Sequence, residues 1–234
     1  MRIRGIWFGP CLVLLLGLIL LLGGCASPDG REVLSTGDSF NRFMADRPAA
    51  AQLLLQHPAL EQWMRTEWNR PLGDYHVVWD DRQPKTSPVA ENASTDEFHV
   101  TAIRVSQKLS AVDQVMALAF ETCNAQGRPR FYELAAQAAT GQISRREFVE
   151  GINAAEYDAT LRLKENFPKL LPLSRAELAH DVLYRKMLEA PVGFREFQAW
   201  SLRTHNENYL RAQDLYGREY DEIVAQHKKE TPAP

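Results

Sequence analysis

The chain has 234 residues, with 27 lysines and arginines against 30 aspartates and glutamates, and 45% of its residues are hydrophobic. This composition is that of an ordinary globular protein, and it excludes a polytopic membrane protein, a collagen-like chain and a wholly disordered one. A mildly acidic chain without a basic block is also unsuited to binding nucleic acid.

Residues 1–24 differ from the rest of the chain. Arg2 and Arg4 are their only charged residues, and residues 6–22 are almost wholly apolar. A basic start, an apolar stretch and an exit of small residues are typical of a secretory signal. The stretch 5–24 is also just long enough to span a bilayer, which leaves an uncleaved anchor as the alternative.

The end of this segment carries a more specific motif. Residues 22–25, of sequence LGGC, resemble the lipobox of bacterial lipoproteins, and the resemblance covers residues 1–27. It implies that a signal peptide of residues 1–24 is removed and that Cys25 is acylated on its thiol and on its new amino group. Cys25 is followed by Ala26-Ser27 and not by aspartate. In enterobacteria this pattern implies a lipid anchor in the outer membrane, with the domain in the periplasm or on the cell surface.

The lipobox also changes how the three cysteines are interpreted. Cys11 lies in the signal peptide and Cys25 receives the lipid, so Cys123 has no disulfide partner within the mature chain. We expect Cys123 to be a small buried hydrophobic residue, because no protease signature surrounds it. Residues 25–37 contain Pro28, Gly30 and Gly37 and predict a lipidated tether.

The remainder predicts a single, mainly helical domain over residues 38–227 and a disordered tail at 228–234. A first helix begins near Asp38 or Ser39 and is ended or kinked by Pro48. Two short helices follow, separated by Pro58. Their predicted ranges are 49–56 and 59–68. The second has a stripe of large side chains at helical spacing, which predicts a core face: Leu60, Trp63, Met64 and Trp68.

Residues 74–80 and 97–105 predict the two strands of the domain, because they are rich in β-branched and aromatic residues. The polar segment 81–96 separates them, so we expect a small inserted antiparallel β-hairpin with a long loop. His76 and His99 lie on the two strands. Ordinary strand positions are expected for both, with a two-histidine site as the alternative.

From residue 110 onward the pattern predicts helices only. Ser110, Ser144 and Ser174 are each followed three residues later by an acid, which is the spacing of a capping box. The predicted helices start at Ser110 and span 130–140, 144–166, 174–190 and 193–226, the last with a break at 205–208.

The helix from Ser110 contains a second family resemblance. Residues 120–124, of sequence FETCN, occupy the frame in which zinc peptidases of the zincin type place His-Glu-x-x-His. A predicted strand precedes this helix and Glu156 lies on a later one, as in the zincin layout. Both histidines are replaced, by Phe120 and Asn124, and only Glu121, the general base in that family, remains. The resemblance implies a divergent or degenerate peptidase or hydrolase that uses Glu121 and Glu156.

The function expected from the sequence is therefore that of a non-catalytic envelope lipoprotein. Its helical surface or its long loop binds a periplasmic protein partner, and no metal or cofactor is predicted. The alternative is the zincin-like enzyme. If the helices pack together, Glu121, Asn124 and Glu156 form one polar cluster, although ordinary salt bridges to arginines such as Arg128 and Arg145 remain the competing interpretation.

Overall fold

The computed structural model describes residues 36–72, 76–84, 90–95, 100–174, 176–208 and 215–230, and it is mainly helical. The chain divides into two compact units, one up to Ala125 and one from Gln126 onward. The first unit contains α1 (Thr36–Asp46), α2 (Pro48–Gln56), α3 (Pro58–Trp68), β1 (His76–Trp79), β2 (Ala90–Thr95), β3 (Val100–Val105) and α4 (Ala111–Ala125). The second contains α5 (Arg128–Ala139), α6 (Arg145–Leu170), α7 (Val182–Glu189), α8 (Phe194–Asn208) and α9 (Leu215–Glu230).

The boundaries between the first three helices coincide with prolines in the sequence. Pro48 and Pro58 each open a helix, where the missing N–H of proline removes no helical hydrogen bond. Their inner faces build the core of the first unit, because Phe40, Phe43 and Leu54 are fully buried. In the predicted stripe of α3, Leu60, Met64 and Trp68 are buried and Trp63 is half-buried.

The predicted antiparallel hairpin is wrong. β1 and β3 pair in parallel, with His76 opposite Val100 and Trp79 opposite Ile103. Parallel strands cannot be joined by a tight turn and need a crossover, which the segment 81–96 supplies. Part of that predicted loop forms β2, which pairs antiparallel with the other edge of β3, so the strand order is β1-β3-β2.

The alternative two-histidine site stays a prediction, because only one of its two residues is described. His76 is exposed and lies opposite Val100 in the parallel register. His99 lies outside the described residues.

The second unit is built on α5, α6 and α9. Its core contains Leu134, Phe148, Ile152, Tyr216 and Ile223. A β-carbon on Gly151 would lie 2.8 Å from both terminal methyl groups of Leu134, so any larger residue there would force the Leu134 side chain to shift.

The capping boxes predicted at Ser144 and Ser174 are both present. The Ser144 N–H donates to Glu147 Oε2 at 2.7 Å, and the Glu147 N–H donates back to Ser144 Oγ at 3.3 Å. The same reciprocal pair joins Ser174 and Glu177 at 2.8 and 3.3 Å. At Ser110 the Asp113 N–H donates to Ser110 Oγ at 3.0 Å.

Three predicted helix boundaries need correction. The helix expected at 174–190 is a short 3-10 turn, Glu177–His180, followed by α7, because Asp181 leaves the helical region with φ −98° and ψ 84°. α6 continues past Pro168 to Leu170, since a proline in the last turn removes a single helical hydrogen bond. α9 extends to Glu230, three residues into the tail predicted as disordered.

Candidate functional site

Cys25, the predicted lipidation site, lies outside the described residues together with the whole of segment 1–35. The signal peptide, the acylated cysteine and the tether therefore stay predictions. Among the described residues, no helix has both the length and the hydrophobicity needed to cross a membrane.

Glu121 and Asn124 lie near the end of α4. The core face of this helix is as expected, with Val115, Ala119 and Cys123 buried. Glu121 and Asn124 are half-buried. The Oδ1 atom of Asn124 is shielded from solvent and has no hydrogen-bond partner among the described residues. Phe120 is half-buried as well, so it fills a position at the edge of the core.

Glu156 lies in the middle of α6 and is only 7% exposed. Its carboxylate accepts a short hydrogen bond from the hydroxyl of Tyr216 on α9. One turn earlier, Asn153 is 1% exposed, and its Oδ1 atom has no partner in the part of the chain that the structure describes. The sequence does not predict Tyr216 as the partner of Glu156. The signal in the sequence was the spacing of Asn153, Glu156 and Thr160, which places three polar residues on one helix face.

The proposed cluster of Glu121, Asn124 and Glu156 stays a prediction, because the first two belong to the first unit and Glu156 belongs to the second. The order of elements expected from the zincin layout is present, with β3 before α4 and Glu156 on the later helix α6. Within the described ranges, no group of three or more histidine, cysteine, aspartate or glutamate residues is placed to hold a metal ion.

The densest group of charges lies at the end of β1. Asp80 Oδ2 accepts a hydrogen bond from Arg104 Nε at 2.7 Å, and the Arg104 side chain is 9% exposed. Arg82 donates to the same carboxylate through Nη2 at 2.6 Å and through Nε at 2.8 and 2.9 Å. Every acceptor position of Asp80 is thus occupied by arginine, which makes the group structural and leaves no carboxylate oxygen for a ligand.

A second buried arginine joins the helices to the sheet. Arg47 is 3% exposed, and its Nη2 donates to the carbonyl of Val105 at 3.0 Å. Its guanidinium carbon lies 4.9 Å from the ring centre of Trp79, a cation–π distance. The indole N–H of Trp79 donates to Asp46 Oδ2 at 2.7 Å. Arg47 therefore connects the α1–α2 junction to both β1 and β3.

The arginines also set the protonation of Asp80. Burial alone raises the pKa of this carboxyl group. The hydrogen bonds from Arg82 and Arg104 outweigh that effect and lower the pKa from 3.8 to about 2. Asp80 is therefore ionised in the folded protein throughout the neutral and mildly acidic range.

The second unit has an exposed apolar area, which we call the Val192 surface and define by Tyr157, Val192, Phe194 and Trp200; Phe197, which is 2% exposed, lies beneath it. Val192 is 67% exposed, and Tyr157, Phe194 and Trp200 are half-buried. The Tyr157 ring lies 5.3 Å from the rings of both Phe194 and Phe197, and Phe197 lies 5.7 Å from Trp200. The hydroxyl of Tyr157 donates to the carbonyl of Val192, which fixes the position of this exposed residue.

A shallow groove of about 340 Å³ lies along α3 in the first unit. It is open to solvent and polar, and an internal ion pair between Arg65 Nε and Glu61 Oε1, at 2.9 Å, occupies part of its lining.

Comparison with protein-family models, with curated proteins and with solved structures found no match for this chain. The functional argument accordingly depends on the residues of the chain itself.

We predict that Asp80→Asn strongly destabilises the first unit. The substitution removes the negative charge and leaves the guanidinium of Arg104 buried without a carboxylate, which costs about 3 kcal/mol of unfolding free energy. Urea unfolding of the full-length chain, followed by tryptophan fluorescence, measures this loss. The exposed neighbour provides the control, since Asp81→Asn should change the unfolding free energy by less than about 0.5 kcal/mol. Equal urea midpoints for the two variants would refute the structural role.

The same carboxylate predicts an acid-sensitive contribution to stability. The pKa of Asp80 is lower in the folded chain than in the unfolded one, so its contribution is fully present above pH 3.8 and is lost as the pH falls towards 2. A shift of this size corresponds to about 2 kcal/mol. The unfolding free energy of the wild type should fall by that amount more than that of Asp80→Asn between pH 5 and pH 2. Parallel pH profiles of the two proteins would contradict the assignment.

Proposed function

We propose that this chain is a bacterial envelope lipoprotein, anchored in the outer membrane through acylated Cys25, whose helical periplasmic part binds a protein partner without catalysis. The observation that carries the binding function is the Val192 surface, where an exposed aliphatic residue is held within a group of aromatic side chains.

The support for the anchor is the sequence of residues 22–25 after an apolar stretch with a basic start. A single acyl chain binds a membrane only marginally, whereas several chains on one cysteine hold a protein there durably. The ten residues between Cys25 and Thr36, where α1 begins, span at most about 35 Å when fully extended. The anchor thus keeps the start of the first unit close to the bilayer.

The support for partner binding is the chemistry of the Val192 surface. Tyrosine and tryptophan are enriched at the energetic centres of protein interfaces, because they supply a large contact area at a small entropic cost. Charged residues are depleted from such centres and form the rim. Around Val192, the exposed side chains of Glu189, Arg195 and Glu196 provide polar rim positions of both signs.

A protein partner fits this area better than a small molecule does. The aromatic rings are tilted against one another, with centroids 5.3 to 5.7 Å apart, so they pack as one group. Small-molecule sites are concave, whereas a raised apolar residue within a polar rim is typical of an interface between proteins.

The anchor predicts the result of replacing Cys25. The Cys25→Ser variant has no thiol to acylate, so the full-length chain should leave the membrane fraction and appear in the soluble periplasmic fraction or remain as the uncleaved precursor. Fractionation and mass spectrometry of the amino terminus measure both outcomes. Cys123→Ser serves as the matched control, because its thiol is buried and takes no lipid. A Cys25→Ser protein that is still processed and still in the outer membrane would exclude lipid anchoring.

The Val192 surface predicts the loss of a specific crosslink. A photo-crosslinking amino acid at the exposed position Ala199, next to Trp200, should give a discrete adduct with one envelope protein in intact cells. Val192→Asp places a charge in the centre of the contact and should reduce the adduct at least tenfold, which corresponds to about 1.4 kcal/mol.

The chain contains a matched control for that experiment. Val182 is 45% exposed at the start of α7 and lies outside the Val192 surface. Val182→Asp should leave the adduct unchanged, so the comparison separates a local contact from a general effect of added charge. Equal adduct yields in the wild type and in Val192→Asp would show that the partner, if one binds, uses another face.

A further inference from the structure

One face of α6 contains polar residues where a core helix normally has apolar ones. Asn153, Glu156 and Thr160 are 1%, 7% and 4% exposed. Their spacing of three and four residues puts them on the same side of the helix. Since burial of polar groups is unfavourable unless they are hydrogen-bonded, each of these side chains should have a partner.

The hydrogen bonds of this face are incomplete on the acceptor side. Thr160 Oγ1 donates to the carbonyl of Glu156 at 2.9 Å, and Asn153 Nδ2 donates to the carbonyl of Val149 at 2.8 Å. The Oδ1 atom of Asn153 receives no hydrogen bond in the part of the chain that is described. This face therefore has an acceptor that lacks a donor.

Among the described residues, no cation is paired with the carboxylate of Glu156, which lies in the same region. It accepts one hydrogen bond, from the neutral hydroxyl of Tyr216. No salt bridge involving the residues that the structure describes includes Glu156. A buried carboxylate is normally paired with a cation, because the loss of hydration is not offset by one neutral donor.

We infer that Asn153 and Glu156 bind a primary ammonium group. An ammonium carries the positive charge that no described residue places beside Glu156, and it has an N–H donor for Asn153 Oδ1. Residues three apart on a helix have β-carbons about 5–6 Å apart, a separation that one nitrogen can bridge with two hydrogen bonds. The low exposure of both residues favours a compact charged head at the end of a narrow alkyl chain.

Tyr216 acts as a positioning residue in this site. Its hydroxyl donates to Oε1 of Glu156 and holds the carboxylate in one orientation. The role of this residue is indirect, so its removal should weaken ammonium binding less than the removal of the negative charge.

The probe is n-butylamine, which reproduces the end of a lysine side chain and is protonated at pH 7. We expect it to bind the full-length chain and to shift the NMR signals of Asn153 and Tyr216 in a saturable way. Glu156→Gln keeps an acceptor for Tyr216 and removes the charge, so it should weaken binding at least tenfold. Tyr216→Phe should weaken it by a smaller factor.

Two controls make the result specific. Asp158→Asn removes an exposed carboxylate from the same helix and should leave binding unchanged. Tetramethylammonium carries the same charge but has no N–H donor, and it should not bind. Saturable binding of butylamine that is abolished by Glu156→Gln supports the site. Equal effects of the two cations, or equal affinities of wild type and Glu156→Gln, would overturn it and leave an ordered water as the occupant of this face.

Two sources of the ammonium group are distinguished by a further titration. A short blocked peptide with one central lysine tests a side chain supplied by another protein, and its Nε-acetylated form tests the need for charge. Binding of the unmodified peptide and not of the acetylated one assigns the site to a protein lysine. Binding of butylamine alone assigns it to a small free amine. The results of these titrations do not depend on whether the Val192 surface binds a partner, so the ammonium site and the proposed function can fail separately.

Discussion

The register of the small sheet depends on one buried ion pair. Trp79 lies opposite Ile103 in the parallel pairing, and the next residue on each strand carries the opposite charge, Asp80 on one side and Arg104 on the other. A slip by one residue would leave Arg104 buried without its carboxylate, while Asp80 would keep only its local partner Arg82, and an unpaired buried charge costs far more than the loss of a backbone hydrogen bond. The contacts of Arg47 depend on the same register, because its side chain reaches both the carbonyl of Val105 on β3 and the ring of Trp79 on β1. The position of the helices on the sheet thus follows from the pairing of Asp80 with Arg104.

Buried polar groups have different roles in the two units. In the first, the acceptors of Asp80 are completed by arginines of the chain itself, so the group contributes to stability and offers nothing to a ligand. In the second, Asn153 and Glu156 are buried with an incomplete set of donors. Proteins retain groups that are locally unfavourable to stability mainly at functional sites, where ligand binding offsets the free-energy cost. Buried acceptors without a described partner also occur in the first unit, as at Asn124 Oδ1. We propose that in the second unit Asn153 and Glu156 take part in recognition together with the Val192 surface.

The sequence predicted those features that depend on neighbouring residues. Pro48 and Pro58 mark helix starts through their fixed backbone angle, and Ser144 marks one through its capping hydrogen bonds, so these boundaries follow from local sequence. β2 was missed because Ala90–Thr95 has few residues that favour strands and is stabilised by its pairing with β3. The direction of β1 against β3 is a property of the whole chain and has no local signal. Glu156 was selected as a site residue, but its partner Tyr216 is separated from it by 60 positions, and no periodicity connects the two.

The strand order has a consequence for the growing chain. β3 is the last of the three strands in the sequence and the central one in the sheet, while β1 and β2 make no hydrogen bonds to each other. Neither early strand has a partner until β3 has been added. β2 and β3 are then antiparallel neighbours separated by only four residues and can pair locally, whereas β1 pairs with the other edge of β3 over a longer separation. Until then the backbone groups of β1 and β2 stay available to other chains, as at any unpaired strand edge. The sequence of β2 is polar, which is why it was not predicted as a strand. The same polarity disfavours association of its unpaired edge with other chains.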